Sequence, residues 1–182
     1  WLQDAPLDDA ARQWLDTTPS DDNPAYAYLL GFGAPADQSP ARQGQALVQR
    51  QKNHPDLSLP NSYRDLNASP LLCRNMNASC LLHQQEKRVK SEALVNRYQF
   101  LIERYQTFLD FAYFSDNTPP RLDATFPEYS LLVTASRLQS LAWAISDAPE
   151  KNIDREIQLL RRWLTQDHSL ISKMIANAML AE

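Results

Sequence analysis

The chain has 182 residues, with 22 acidic against 18 basic side chains, a net charge of -4 and an apolar fraction of 43%. That is enough for one domain with a real core, and its dispersed basic residues exclude the dense Lys/Arg face that nucleic-acid binding needs. No apolar run nears the roughly 20 residues that span a bilayer. Only 3 glycines among abundant Leu, Ala, Gln and Arg point to an all-α fold rather than a sheet. The chain begins at Trp1 rather than Met, and the expectation is that a preceding signal peptide or membrane anchor has been removed.

In chain order, Leu7, Ala10, Ala11, Trp14 and Leu15 fall at helical spacing, with Asp8 and Asp9 in the first turn of that helix. Asn23-Pro24 restarts a helix as cap and first residue, which Gly31, Gly33 and Pro35 end. Ser39 and Pro40 open a third helix over 39–52. Residues 54 to 77 hold three prolines before position 71 and no sustained period, so an irregular segment is expected. A helix of roughly 28 residues, about 42 Å long, follows as the spine of the domain. Leu94, Tyr98, Leu101, Tyr105, Phe108 and Ala112 form its heptad seam, and Arg97-Tyr98 recurs as Arg104-Tyr105.

Residues 116 to 127 read as a loop. The next helix places Leu131, Leu132, Ala135, Leu138, Ala142 and Ile145 on one face. Asp147 and Pro149 open another, striped by Ile153, Ile157, Leu160 and Leu164. The pairs Leu170/Ile171, Met174/Ile175 and Ala178/Met179 predict one buried face on a last helix. The whole is expected to be one domain over 1–182: short helices to residue 53, an irregular segment over 54–80, and an antiparallel helical bundle over 81–182.

Cys73, Cys80 and His83 are the most reactive cluster of residues in the sequence. The favoured reading is a disulfide that fastens the irregular segment to the spine, which suits an oxidising compartment. Two unpaired structural thiols come next. A zinc site with His54 or His168 is disfavoured because the two cysteines are too far apart for a tight ligand pair. A cysteine nucleophile with His83 as its base lacks any surrounding motif. Asn67-Ala68-Ser69 and Asn77-Ala78-Ser79 match the glycosylation pattern and are treated as incidental.

No hydrolase or phosphate-binding motif occurs. Glu103 and Asp110 lie seven apart with Arg97, Arg104 and Arg137 as ordinary ion partners. No catalytic residue, metal or cofactor is therefore assigned. Most of the aromatics are expected in the core. The candidate partner-binding residues are Tyr105, Phe108, Phe111, Tyr113 and Phe114, with Asp8, Asp9, Asp21 and Asp22 as an acidic patch that would steer association.

The pieces "NPAYAYLLGFGAP", the Cys73/Cys80 pair before "LVNRYQFLIERY", and "LISKMIANAML" resemble an uncharacterised group of proteobacterial cell-envelope proteins. In that group a short N-terminal membrane anchor precedes a soluble periplasmic domain. The resemblance implies a periplasmic domain tethered to the inner membrane and brings no catalytic residue with it. The function expected is a non-enzymatic domain that binds a protein partner, in its narrower form an immunity protein neutralising a secreted antibacterial toxin. The alternatives are an enzyme of unfamiliar type, using His83, Cys80 or Glu103/Asp110, and a small-ligand or lipid-binding envelope protein.

Overall fold

Asn23 and Pro24 set the first described turn of helix. The Asn23 side chain accepts the Tyr26 N–H at 3.0 Å, and Pro24 fills the position whose amide has no helical partner. The structure, a computed structural model, describes residues 8–9, 23–53, 63–74, 77–118, 124–146, 150–167 and 169–181. Among them lie nine helices and no strand, so the fold is all-α. They are α1 (Pro24–Leu30), α2 (Pro40–Asn53), α3 (Arg64–Asn67), α4 (Ala78–Glu86), α5 (Arg88–Arg97), α6 (Gln99–Leu109), α7 (Tyr129–Ala144), α8 (Glu150–Gln166) and α9 (Leu170–Ala181). The helix expected around Leu7 to Leu15 lies outside the described residues, apart from Asp8 and Asp9.

The expected single spine is three helices. It breaks at Lys87 and at Tyr98, neither of them proline or glycine. At the first break the Ser91 hydroxyl, fully buried, donates to the Gln84 carbonyl at 3.2 Å and supplies a partner that a continuous helix would have provided. At the second, the Tyr98 N–H is shared between the carbonyls of Leu94 and Val95, and Leu101 then bonds to Tyr98 with three-residue spacing. The helix also stops earlier than its pattern suggests, because residues 111–118 are non-helical.

The central role falls to α7 instead. Leu132, Ala135, Leu138 and Leu141 are fully buried along it, and α3, α4, α5, α6 and α9 all pack against it. Polar side chains are buried on it too, Thr134, Ser136 and Gln139 among them. A helix buried nearly all round has neighbours on every side. Against it Phe108, Phe114 and Trp163 form an edge-to-face triad, with ring centroids 5.0 to 5.5 Å apart.

Two expected stripes turn out to be rotated. On α8 the buried line is Glu156, Leu160 and Trp163, continued by Asp167 just past its end, while Ile153 is exposed. On α9 it is Ser172, Ala176 and Met179. The reason is local: the Trp163 indole N–H donates to the Ser172 hydroxyl at 2.8 Å, and small side chains let α9 lie close to that ring. Of the paired residues expected in the core, Leu170, Ile171 and Met174 face outward.

The first two helices form the tightest contact. A Cβ on Gly31 would lie 2.0 Å from the Pro40 carbonyl oxygen, and one on Gly44 would lie 1.5 Å from the Ala27 carbonyl oxygen. Gly31 ends α1 with φ of -90°, so space rather than a left-handed turn requires it. Arg104 then joins this pair to the rest. It is 6% exposed, and its guanidinium donates to the carbonyls of Phe32 (3.0 Å), Ala34 (2.6 Å), Pro35 (2.8 Å) and Gln38 (3.0 Å). It also lies 5.0 Å over the Phe100 ring. Tyr63 adds a bond to the same loop, its hydroxyl donating to the Ala34 carbonyl at 3.0 Å.

Gly44→Ala improves helix propensity by about 1 kcal/mol, yet the close approach makes it destabilising, by about 1–3 kcal/mol. Chemical denaturation will show a lower midpoint if the contact governs and a higher one if propensity does. Arg104→Lys keeps the charge but loses the planar fork that reaches four carbonyls. It will cost about 2–4 kcal/mol in the same measurement.

Candidate functional site

Cys73 and Cys80 are joined in a disulfide, with Cα atoms 6.2 Å apart. The bond removes both sulfurs from metal binding and from nucleophilic attack. Cys80 lies in the first turn of α4, where the Asn77 side chain accepts its backbone N–H at 2.9 Å. The bridge therefore ties helix α4 to a segment that buries Leu66, Leu71 and Leu72. A loop this short contributes about 2.5 kcal/mol on the chain-entropy account. Behind it the fully buried Gln84 amide donates to the Leu71 carbonyl at 3.0 Å. His83 sits in the last turn of α4, half-buried. His54 and His168 lie outside the described residues. Among the described residues no three His, Cys, Asp or Glu side chains converge as metal ligands would.

The aromatic candidates separate by burial. Tyr105, Phe108 and Phe114 are core residues, Phe111 is half-buried against Tyr28 at 5.4 Å between centroids, and Tyr113 is exposed. Asp8 and Asp9 are exposed, and Asp21 and Asp22 lie outside the described residues. Glu103 is exposed, and Asp110, which ends α6, pairs with Arg155 of α8. Two of the expected ion partners act otherwise. Arg104 holds backbone carbonyls, and Arg97 lies 5.3 Å over the Tyr98 ring.

Sequence reasoning passed over the buried acids. Asp167 is 1% exposed. It accepts the N–H groups of Asp116 and Ser169, both at 3.1 Å, and the Trp163 indole at 3.2 Å. Asp116 in turn accepts the Tyr129 hydroxyl at 2.8 Å and the Ser169 hydroxyl at 3.1 Å. One residue earlier, the Ser115 carbonyl accepts the Asn23 side-chain amide at 2.7 Å. This network binds the start of α1, the 115–118 segment and the α8–α9 turn into one unit. Burial and the neighbouring Asp116 carboxylate push the Tyr129 hydroxyl well above the usual tyrosine range, so it stays a donor to that carboxylate.

Glu156 is the other buried acid. One oxygen, Oε1, accepts the hydroxyls of Tyr105 and Ser136, while Oε2 is buried with no partner among the described residues. Burial raises its pKa, against the lowering effect of those two hydroxyls. The residue also lines a cleft of about 170 Å³ between α6, α7 and α8, with Tyr105, Gln106, Leu109, Gln139, Trp143, Arg155 and Leu159. Within it the Gln106 amide donates to the Gln139 carbonyl oxygen at 2.7 Å. The signal for Glu156 was present in its four- and seven-residue spacing from Leu160 and Trp163, but a search for apolar stripes skips an acid.

The outer face of α9 is the other candidate surface. Leu170, Ile171 and Met174 are 73%, 45% and 62% exposed on successive turns, opposite the buried Ser172, Ala176 and Met179. Among the described residues no helix is long and apolar enough to cross a membrane. No protein-family model, curated protein or solved structure matches this chain.

A carboxyl group whose pKa is raised on folding favours the folded state while it keeps its proton. That stability is lost as pH rises from the ordinary glutamate value of 4.5 through the raised folded value. Burial raises Glu128 with the same sign, so the comparison must be between variant and parent. Glu156→Gln will flatten the fall in stability above that value. At pH 8 it will be at least as stable as the parent, by about 0–2 kcal/mol in denaturant midpoints. An unchanged pH slope would show that Glu156 is not buried in solution.

Proposed function

We propose that this chain is a non-enzymatic helical domain that docks a protein partner in an oxidising, extracytoplasmic compartment. The family resemblance narrows the compartment to the periplasm, with a tether to the inner membrane. The observation that carries the partner reading is the outer face of α9, where Leu170, Ile171 and Met174 keep most or nearly half of their surface in water. A stable fold does not need them there, since α9 is already held by Ser172, Ala176 and Met179. The Cys73–Cys80 disulfide is compatible with an oxidising compartment.

No observation favours the narrower immunity-protein form. Of the acids expected to steer a toxin, only Asp8 and Asp9 are described, and both are exposed. The enzyme reading loses its cysteine to the disulfide, and its Asp110 pairs with Arg155.

Leu170→Asp combined with Met174→Asp leaves stability within about 0.5 kcal/mol, because both side chains are exposed. Affinity capture from native envelope extracts, run with parent and double variant side by side, is expected to recover a specific protein only with the parent. Equal recovery by both would overturn α9 as the docking face. Thiol labelling of protein taken from the same extracts tests the compartment, and free Cys73 and Cys80 would overturn it.

A further inference from the structure

Gln84 is fully buried, and one end of its amide packs against the disulfide. Its Nε2 donates to the Leu71 carbonyl at 3.0 Å and lies 3.7 Å from Cys73 Sγ. The Leu71 carbonyl fixes which end of the amide is which, since an amide oxygen there would face another oxygen. Oε1 is left with less than 1 Å² of exposed surface and no partner among the described residues. A buried acceptor without a donor destabilises the fold. An outside ligand cannot reach this atom, so its donor must come from within the chain. The bridge itself can supply one. A disulfide has no hydrogen to give, whereas each thiol that replaces it on reduction is a donor. Cys80 stands one turn before Gln84 on the same face of α4, where its thiol can meet Oε1.

The two sulfurs are not equivalent. Cys80 is 7% exposed, whereas Cys73 is half-buried with the exposed Arg74 beside it. Cys80 is also the third residue of a nine-residue helix, whose first amides favour negative charge on its sulfur. We propose that Cys73–Cys80 is a site of thiol–disulfide exchange, attacked by an external thiol at Cys73, with Cys80 as leaving group and Gln84 holding the reduced pair. The attacking thiolate forms a bond to Cys73 Sγ as the bond between the two cysteines breaks. The electron pair leaves on Cys80 Sγ, which takes a proton from solvent and donates it to Gln84 Oε1 as a hydrogen bond. A second thiolate then attacks the partner sulfur of the mixed disulfide and releases Cys73, which is protonated in turn. Two electrons pass to the chain, and the two external thiols leave as a disulfide. Reduction also releases the covalent tie between α4 and the segment that buries Leu66, Leu71 and Leu72.

The test equilibrates the purified full chain in buffers of reduced and oxidised glutathione. Samples are quenched with N-ethylmaleimide for mass spectrometry, and circular dichroism follows the fold. The expected result is a chain that stays folded while it passes reversibly between bridged and dithiol forms, with the glutathione adduct on Cys73. Structural disulfides resist reduction by this pool. Gln84→Met keeps the length of the side chain and removes the acceptor, so it should shift the equilibrium about tenfold toward the bridge. The lost bond to the Leu71 carbonyl affects both forms alike and leaves that ratio unchanged. A parallel run with dithiothreitol at equal thiol concentration identifies the class of partner. Faster opening there marks a dithiol and equal rates mark a monothiol, both by the same exchange. Three results would overturn the proposal. They are a bridge that opens only when the chain unfolds, an adduct chiefly on Cys80, and a folded Gln84→Met variant with the parent's equilibrium. The first two are read on the parent alone, so they decide the matter even if the variant does not fold. All are properties of the purified chain and are separate from its compartment.

Discussion

The structure depends on one buried cation. Arg104 is placed by α6 in an interior where no carboxylate among the described residues is its partner, and four backbone carbonyls of residues 32 to 38 take its hydrogen bonds instead. Burial lowers its pKa, with Tyr63 and Tyr28 acting in the opposite direction, and an arginine stays charged throughout. A charge of this kind destabilises any arrangement that leaves it unpaired. The loop that follows α1 must therefore keep its carbonyls turned toward α6. That places α1 and, through the contacts of Gly31 and Gly44, α2 as well. The N-terminal helices are held by polar geometry at least as much as by apolar area.

A second polar unit works at the other end of the core. Asp116 and Asp167 gather donors from Tyr129, Ser169, Trp163 and backbone amides. They fix the turn between α8 and α9 and, through Ser115 and Asn23, the start of α1. Together with the disulfide this leaves the interior satisfied almost everywhere. Among the described residues two buried side-chain oxygens, Gln84 Oε1 and Glu156 Oε2, are left without a partner, and an apolar face on α9 is left exposed.

The helical class was legible because it rests on composition and period. The cap at Asn23, the start at Pro40 and the bridge of Cys73 to Cys80 were legible because each is a local event with its own residue signature. The breaks at Lys87 and Tyr98 were not, since neither residue breaks helices and the cause lies in tertiary contacts such as the Ser91 hydroxyl. The α8 and α9 stripes were misplaced for a related reason. Glu156 and Asp167 count as surface residues to a pattern of apolar positions, and Leu170, Ile171 and Met174 count as core. Arg104 read as a helix-surface charge because a carbonyl cage leaves no acidic residue in the sequence to announce it.

That last point has an evolutionary side. The hydrogen bonds of Arg104 reach main-chain oxygens, two of them from the core residues Phe32 and Ala34, while Pro35, Ala36, Asp37 and Gln38 turn their own side chains to solvent. Positions 35 to 38 can therefore change their letters as long as the path of the loop is kept, while position 104 has no equivalent replacement. In any set of descendants of this chain, the contact would be visible as one fixed arginine facing a stretch of apparently unconstrained sequence.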